Sequence, residues 1–449
     1  MIKIKIRVLI IFLFAIGNIV AQSGEKRIVH LSMNEVIGKS LSDNLSLKSK
    51  MLEYDGQKYE EWKSYSLFIP TFNYQAVATN NLELPVFVFM GQQFIVGTKF
   101  AFQHSLDLSV PLFTGGTRWF NMKIQRSLRK SLSEELKGKE EEVILQSLQA
   151  YYAIMLSDAI YKTSLEAVEV AKANLEQVEK FYNAGTSTEL DYQRAKAQYS
   201  STLPSLEKAR GEKALSLQRL KFLLNIDLND SLVITDVLQG LDFLRDYKSL
   251  RLEDLKTISK EKRSDLKALA HKLYATEQGE KIAAGSFLPT VALSANVAHQ
   301  AQLSNSSVMW NDYIRSKSVN LVLSWPLFEG GRRFVNYQQA KVQTEQIKTI
   351  IEQADKGREL SVEESFLSFN EAMANLESLK ELTLQANESL RLSNLLYSEG
   401  MSTQLDVLNA QLFKTSSDMQ YYQGLFAYNV SQLNLLYSIG MLNELWNKN

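Results

Sequence analysis

Val110-Pro111-Leu112-Phe113-Thr114-Gly115-Gly116 returns as Trp325-Pro326-Leu327-Phe328-Glu329-Gly330-Gly331, 215 residues further along the chain. A second segment, YNAGTSTELD at 182–191, returns with the same offset as YSEGMSTQLD at 397–406. One constant offset shared by two motifs predicts two copies of one structural unit, each of about 200 residues. Fold and function can therefore be predicted from one copy and compared with the other.

Proline positions divide each copy into a strand region and a helical region. Five of the six prolines lie in the windows 67–116 and 286–331, one window per copy. Within these windows apolar and polar residues alternate, which is the period of a strand with one apolar face. Each window therefore predicts one β-hairpin. The predicted strands are Phe68–Ala78 and Phe100–Leu112 in the first copy, and Thr290–His299 and Ser318–Trp325 in the second.

Long helices follow each hairpin. Thr117–Tyr182 and Arg332–Tyr397 each contain 66 residues without a proline. At about 1.5 Å per residue, each would extend on the order of 100 Å. Shorter helices are predicted to lead into the hairpins, at about 32–66 and 252–285, and to return from the distal turns, at about 188–224 and 403–437.

The last helix has the most regular pattern. Its apolar positions step by three and four residues, which predicts a coiled-coil seam. In the first copy the same register is interrupted by Arg210 and Lys213, and Pro204 is expected to bend the helix. The predicted seam consists of Leu405, Leu408, Leu412, Thr415, Met419, Tyr422, Phe426, Asn429, Leu433 and Leu436.

These patterns predict nine segments. They are a signal peptide (1–21), a first incoming helix (22–66), hairpin 1 (67–116), a long helical hairpin (117–225), a mixed segment between the copies (226–251), a second incoming helix (252–285), hairpin 2 (286–331), a second long helical hairpin (332–437) and a C-terminal tail (438–449).

The N-terminus has the pattern of an export signal. Lys3, Lys5 and Arg7 precede an apolar run from Val8 to Val20, and cleavage after Ala21 fits the small-residue rule. The alternative is a membrane anchor, but 13 apolar residues are short for a hydrocarbon layer of about 30 Å. No other run of 18 apolar residues follows, so no transmembrane helix is expected further along.

The composition excludes several classes of function. Lysine plus arginine equals aspartate plus glutamate, 50 each, so nothing indicates a nucleic-acid partner. Cysteine is absent, which removes disulfides, thiolate metal sites and cysteine nucleophiles. The four histidines have no metal-ligand spacing, and no catalytic motif occurs. We therefore predict no enzymatic activity, no cofactor and no metal site.

Four strands cannot close a barrel, and open edges would leave backbone groups unpaired. Strands of about 10 residues with one apolar face are typical of outer-membrane barrels, which begin at 8 strands. Contact with outer-membrane lipid and association of several copies follow from this. Two copies would give eight strands and three would give twelve, and both remain possible at this point.

The whole plan resembles the TolC-type outer-membrane efflux proteins. The resemblance covers essentially the whole mature chain. It rests on the duplicated hairpin and long helix, the Pro-Leu-Phe-x-Gly-Gly approach to each long helix, and the Tyr-x-x-Gly-x-x-Thr-x-Leu-Asp distal turn. It implies a mainly α fold with a small β part: a homotrimer with a 12-strand β-barrel in the outer membrane and a 12-helix barrel in the periplasm.

The resemblance also implies a function. The protein would be the outer-membrane exit duct of a tripartite efflux or type I secretion system, fed by a periplasmic adaptor and an inner-membrane transporter. A non-channel coiled-coil scaffold or tether is the main alternative, and it does not explain the two hairpins. A soluble enzyme is the third possibility, and the missing catalytic constellation counts against it.

Asp191 and Asp406 are the acidic residues of greatest interest. Each lies six residues past its tip glycine, at the start of the returning helix. They could cap their helices, or they could form a ring of carboxylates that attracts cations at a constriction. In the family that the chain resembles, aspartates at the position of Asp406 and three residues later ring the closed end. Asn409 occupies that second position here, so a weaker ring is expected.

The distal turns carry the remaining candidate residues. The family's closed state also uses an arginine two residues past the glycine, where this chain has Ser402. By resemblance, the turns Gly185-Thr186-Ser187 and Gly400-Met401-Ser402 would contact the adaptor, although they also have the pattern of ordinary helix caps. Phe87, Phe89 and Phe94 could form an exposed aromatic patch or line the barrel mouth.

Overall fold

A computed structural model describes residues 28–244, 247 and 250–444. The predicted signal peptide, 1–21, lies outside the described residues. The chain has the predicted mainly helical plan with a small β part, and long helices extend from one end of a four-stranded sheet.

The sheet contains both predicted hairpins. Its order is β2 (Thr71–Asn80), β5 (Phe100–Thr114), β7 (Thr290–Leu303) and β8 (Ile314–Ser324), and all neighbours are antiparallel. The strand predicted from Phe68 begins later, because residues 67–69 complete the last turn of the preceding helix. The strand predicted to end at His299 continues, because it pairs with β5 as far as Phe100.

The register of the strands gives the sheet one apolar and one polar face. Leu106 pairs with Val297, and Val110 pairs with Leu293, so these side chains share a face. Asp107 and its partner Asn296 lie on the other face, where the amide of Asn296 donates to the carboxylate. This division agrees with the predicted alternation and suits a sheet between lipid and water.

A second, smaller hairpin lies in the first loop. It consists of β3 (Val86–Phe89) and β4 (Gln92–Ile95) and was not predicted. Phe87 and Phe94 are cross-strand partners in it, and both side chains are about half exposed. In the single chain, Phe87 and Phe94 therefore form an exposed patch at the end of the sheet that is remote from the helices.

The four long helices lie where the sequence predicts them. They are α3 (Thr117–Asn183), α4 (Glu189–Leu223), α7 (Arg332–Ser398) and α8 (Gln404–Ser438). Pro204 lies inside α4 without ending it. One stretch of α3 is long and apolar enough to cross a membrane by composition, but 56% of it is buried inside the protein. Packing in the protein core accounts for that stretch.

Each strand-to-helix junction is built twice from the same contacts. Arg118 donates to the carbonyl of Leu67 at 3.1 Å, and its guanidinium lies 5.2 Å from the ring centre of Phe68. Arg333 repeats this with the carbonyl of Ser286 at 3.3 Å and the ring of Phe287 at 5.7 Å. The duplication in sequence is therefore a duplication of atomic contacts.

The two incoming helices were predicted as single helices, and this was wrong. Segment 22–66 contains β1 (Ile28–Leu31), α1 (Met33–Asp43) and α2 (Leu45–Ser66). Asn44 breaks the helix, because its side-chain oxygen accepts from the backbone amides of Ser46 and Leu47. Segment 252–285 is likewise broken at Arg263, which has an extended ψ of 125°. The two parts are α5 (Leu252–Lys262) and α6 (Ser264–Gly285).

The segment between the copies, predicted as mixed structure, wraps the middle of the helices. β6 (Ser231–Ile234) pairs in parallel with β1. Farther along this segment, two fully buried side-chain amides of α8 form hydrogen bonds with its backbone, as a neighbouring strand would. Asn429 accepts from the backbone amide of Leu241 at 3.0 Å, and Gln432 accepts from that of Phe243 at 2.9 Å. We call residues 239–243 the strap.

The predicted seam of α8 is correct in the C-terminal half of the helix and partly displaced near the distal turn. Leu433 and Leu436 are buried, but Leu405 and Leu412 are 43% and 50% exposed. Gln404 and Gln411, one position before these two leucines, are buried instead, whereas Leu408 is buried as predicted. The contact inside the chain near the turn therefore combines these glutamines with Leu408, and Leu405 and Leu412 remain on the surface.

Candidate functional site at the distal turns

Both long helical hairpins turn through the same backbone motif. Gly185 (φ 77°) and Gly400 (φ 74°) adopt the left-handed conformation that glycine permits without strain. The next amides, of Thr186 and Met401, donate to the carbonyls of Phe181 and Leu396 at 2.9 and 2.8 Å. This Schellman arrangement ends each helix in two residues and leaves the turn exposed.

The aspartates following the turns cap the returning helices. Thr403 is the N-cap of α8, and its backbone amide donates to the Asp406 carboxylate at 2.9 Å. The Thr403 hydroxyl donates to the same oxygen at 2.6 Å, and the Ser402 hydroxyl does so at 3.2 Å. These hydrogen bonds from Thr403, with a smaller contribution from Ser402, lower the pKa of Asp406. The capping role is therefore present in the folded chain, and the side chain is ionised at neutral pH.

Asp191 has a similar but looser setting. The Thr188 hydroxyl donates to its carboxylate at 2.6 Å, and Arg194 lies 3.7 Å away. Asp191 also contributes, after burial, to the raised pKa of Tyr397 at the end of α7. The carboxylate at the start of α4 therefore lies within electrostatic reach of the end of α7.

Asp406 and Asn409 lie on the exposed side of α8, one turn apart. The turn residues Gly185, Thr186, Gly400 and Met401 are exposed, while Ser187 and Ser402 are half-buried. Ser402 bonds to Asp406 rather than reaching a neighbouring helix.

Instead, a buried amide pair joins the two helical hairpins near the turns. The Gln404 amide nitrogen donates to the Asn174 side-chain oxygen at 2.8 Å, from α8 to α3. Gln404 is 4% exposed and Asn174 is 9% exposed. The side-chain carbonyl oxygen of Gln404, Oε1, has no hydrogen-bond partner. A sheltered bond of this kind holds α8 in one position against α3.

An ion pair makes a second connection between these helices. Lys414 of α8 contacts Glu166 of α3 at 2.7 Å and Asp418 of its own helix at 2.9 Å. Burial lowers the pKa of Lys414, but the bonds to Glu166 and Asp418 outweigh it, so the net shift is upward. Lys414 is therefore a permanent cation at this contact.

A groove of about 470 Å³ runs between the hairpins beside this ion pair. Its walls come from α3, α4 and α8, with Leu390 of α7, and include Ala167, Gln198 and Leu412. The groove is open and mixed in polarity. It provides a recess between the two packed hairpins.

Sequence reasoning missed Asn174, Gln404, Glu166 and Lys414. No periodic signal marks Gln404 and Lys414, because ten residues are about 2.8 helical turns and leave the two side chains about 80° apart around α8. Their partners on α3 carry no such signal, because they lie more than 200 residues away. Among the described residues, no group of three or more histidines or carboxylates could hold a metal ion.

Comparisons with known proteins agree with this architecture. A family model described as "Outer membrane efflux protein" matches residues 97–225 and 257–440. The outer membrane protein TolC of Salmonella enteritidis is 22% identical over 76% of this chain and 69% of its own length. The outer membrane protein OprJ of Pseudomonas aeruginosa is 22% identical over 92% of this chain and 85% of its own length.

Solved structures show the same fold. A membrane protein from Pseudomonas aeruginosa aligns with a TM-score of 0.79 at 18% identity, covering 91% of this chain and 93% of that one. The outer membrane protein VceC of Vibrio cholerae aligns with a TM-score of 0.77 at 18% identity, covering 91% and 96% of the two chains.

Proposed function

Because the chain belongs to the outer membrane efflux protein family, we propose that three copies form one continuous duct through the outer membrane and into the periplasm. The protein is an outer-membrane efflux channel. We infer that the chain itself catalyses no reaction.

One observation carries the proposal of an oligomer: the sheet has two unpaired edges. Within the described residues, β2 pairs only with β5 and β8 pairs only with β7. In lipid, an open edge leaves backbone donors and acceptors without water, at several kcal/mol per group. Pairing β8 of one copy with β2 of the next removes every edge. Three copies then supply twelve strands.

The helices support the same assembly. Leu405 and Leu412 of α8 are exposed in the single chain, and Leu392 and Leu395 of α7 are 42% and 49% exposed. Such apolar side chains on helices that extend into water are expected to be covered by a neighbouring copy. Three pairs of helical hairpins would enclose a tube. A non-channel scaffold would use the helices but would have no need for the sheet.

We propose that the distal turns meet a periplasmic adaptor, which connects the duct to an inner-membrane transporter. The two turns are tight, exposed and formed largely by small residues, so a partner can approach their backbone. The groove between the hairpins continues from this region along α8. An adaptor with paired helices would fit along such a recess.

We also propose that the narrowest point lies at Asp406 and Asn409. Both side chains are exposed on α8, and each is available to face the axis of a tube. Three ionised Asp406 carboxylates would favour cations and oppose anions. The Asn174–Gln404 bond and the Lys414–Glu166 ion pair would hold α8 in the closed position.

Currents across a planar bilayer test this proposal. Asp406→Asn keeps a hydrogen-bond acceptor for Thr403 and removes the charge, so the helix cap survives. We expect a small, cation-preferring conductance from the wild-type protein and reduced cation preference in this variant. Glu352→Gln, on the exposed side of α7, serves as a control that removes one charge elsewhere. Unchanged selectivity in Asp406→Asn would reject the carboxylate ring, and correctly inserted protein without conductance would count against the duct.

A further inference from the structure

The apolar face of the sheet carries a basic and aromatic cluster at the end remote from the helices. His104 of β5 pairs directly with His299 of β7, which in turn pairs with Arg315 of β8. Lys317 pairs with Val297, two positions nearer the helices. Cross-strand partners project from the same face, so all four basic side chains lie on the face that also carries Leu106.

Ring contacts give this cluster a fixed shape. His104 bonds through one ring nitrogen to the Tyr74 hydroxyl at 2.8 Å and through the other to the Tyr313 hydroxyl at 3.0 Å. Trp310 stacks on His299 with ring centres 5.6 Å apart and also contacts Tyr313. The loop carrying Trp310 and Tyr313 therefore folds back over the outward side of the sheet. The result is a surface on which aromatic rings lie beside the cationic groups.

The two permanent cations of the cluster have no acidic partner among the described residues. Arg315 and Lys317 are exposed, and neither forms an ion pair there. Asp312, the nearest acid in sequence, accepts from the backbone amide of Met309 at 2.7 Å. Asp107 is on the opposite face. The cluster thus presents uncompensated positive charge on an otherwise apolar surface.

The height of the cluster matches a membrane boundary. His104 lies ten residues from the helix-side end of β5 at Thr114. Ten residues cover about 33 Å along a strand, or about 25 Å along the membrane normal at a tilt of roughly 40°. An outer-membrane barrel has an apolar band of about that height, flanked by aromatic residues. In an outer-membrane barrel whose inner boundary lies at Thr114, the cluster would lie at the outer surface of the bilayer.

We propose that this cluster binds the phosphate of an anionic lipid headgroup in the outer leaflet. This inference rests on the proposed function, because it requires the apolar face to point into the membrane. Arg315 and Lys317 supply the charge, and the rings of Trp310, Tyr313 and Tyr74 occupy the interface between headgroup and acyl chains. Pairing of β8 with a neighbouring copy would use backbone groups in the plane of the sheet, so both cations would stay exposed to lipid.

Native mass spectrometry of the purified protein in dodecyl maltoside can measure this binding. The probe is diphosphoryl lipid A, and uncharged monogalactosyl diacylglycerol is the control lipid. Each lysine or arginine near a charged lipid surface contributes roughly fivefold to binding. We therefore expect Arg315→Gln/Lys317→Gln to bind lipid A about 25-fold more weakly. Lys348→Gln/Lys356→Gln removes the same charge from the exposed side of α7 and should bind as the wild type does.

The possible outcomes separate this inference from the proposed function. Equal binding of lipid A by the wild type and by Arg315→Gln/Lys317→Gln would overturn the inference, as would equal binding of the uncharged lipid. Bilayer conductance is recorded from the same preparations. A conducting wild type with unselective lipid binding rejects only the lipid site, whereas a wild type without conductance rejects the duct itself.

Discussion

The buried amide pair between α3 and α8 makes a quantitative prediction about the gate. Asn174→Ala removes the acceptor of the 2.8 Å bond and leaves the Gln404 amide nitrogen buried without a partner. The side-chain carbonyl oxygen of Gln404 is already unpaired, so the whole amide would then be unsatisfied in the closed position. If opening moves α8 away from α3, water solvates that amide in the open state. We therefore expect the variant to favour the open state.

The size of the effect follows from burial. An unsatisfied buried polar group costs about 1–3 kcal/mol, which corresponds to an increase in the open-to-closed ratio of roughly 5- to 150-fold. Glu166→Gln breaks the other connection, but the Glu166 side chain is 57% exposed. An exposed ion pair contributes only about 0.2–1 kcal/mol, so this variant should increase the ratio by no more than about fivefold.

Single-channel recording gives the open probability, and the open-to-closed ratio is calculated from it. Asn174→Ala/Gln404→Met provides the control for the mechanism, because replacing both partners with apolar groups removes the unsatisfied amide and should restore closure. The reasoning would be refuted if Glu166→Gln opened the channel more than Asn174→Ala did. An open probability in the double variant as high as in Asn174→Ala would contradict it as well.

Three further predictions concern stability. Burial raises the pKa of Glu141 to about 7 from 4.5, so between these pH values the folded chain holds a proton that the unfolded chain has released. The free energy of unfolding should therefore fall by roughly 3 kcal/mol as pH rises through this window. Urea unfolding of Glu141→Gln should lack that pH dependence. Asn429→Leu leaves the Leu241 amide of the strap unpaired, and hydrogen exchange at that amide should accelerate, consistent with a cost of about 1–3 kcal/mol. Gly285→Ala would place a methyl group 2.1 Å from a backbone oxygen and should lower the melting temperature, whereas Gly279→Ala, with nothing within 4 Å, should leave it unchanged or raise it.

The repeat made most of the architecture predictable. Alternation and proline placement located all four long strands of the sheet, and the Gly-Gly pairs located the starts of α3 and α7. These signals are local, since each depends on a few neighbouring residues and on a backbone conformation that few residue types adopt. The second copy then confirmed what the first one indicated.

Contacts between segments that are far apart in the sequence could not be predicted from it. Asn44 looks like an ordinary polar residue inside a helix, and its role as a break depends partly on its bond to the Leu223 carbonyl. The parallel pairing of β1 with β6 joins segments 203 residues apart. Near the distal turn, Gln404 displaces Leu405 from the contact because its bond to Asn174 fixes which side of α8 faces α3. Periodicity alone gave no reason to expect a polar contact there.

The capping role of Asp406 was one of two alternatives from the sequence, and the structure contains it. A ring of carboxylates involves several copies, so a single chain leaves it as a proposal. The position of Asn409 beside Asp406 agrees with their spacing on one helix. The proposed constriction therefore depends on assembly, as does closure of the barrel.

Cross-linking the edges of the sheet tests assembly most directly. The natural chain has no cysteine, so pairs of cysteines, one on β2 and one on β8, can be scanned without background. The two strands are opposite edges of one sheet, separated by β5 and β7. The proposed duct predicts oxidised bands for two and three linked copies and none larger, in pairs that match the inter-copy register. Failure of every pair to link separate copies in outer membranes, or a ladder extending beyond three, would contradict a closed twelve-strand barrel.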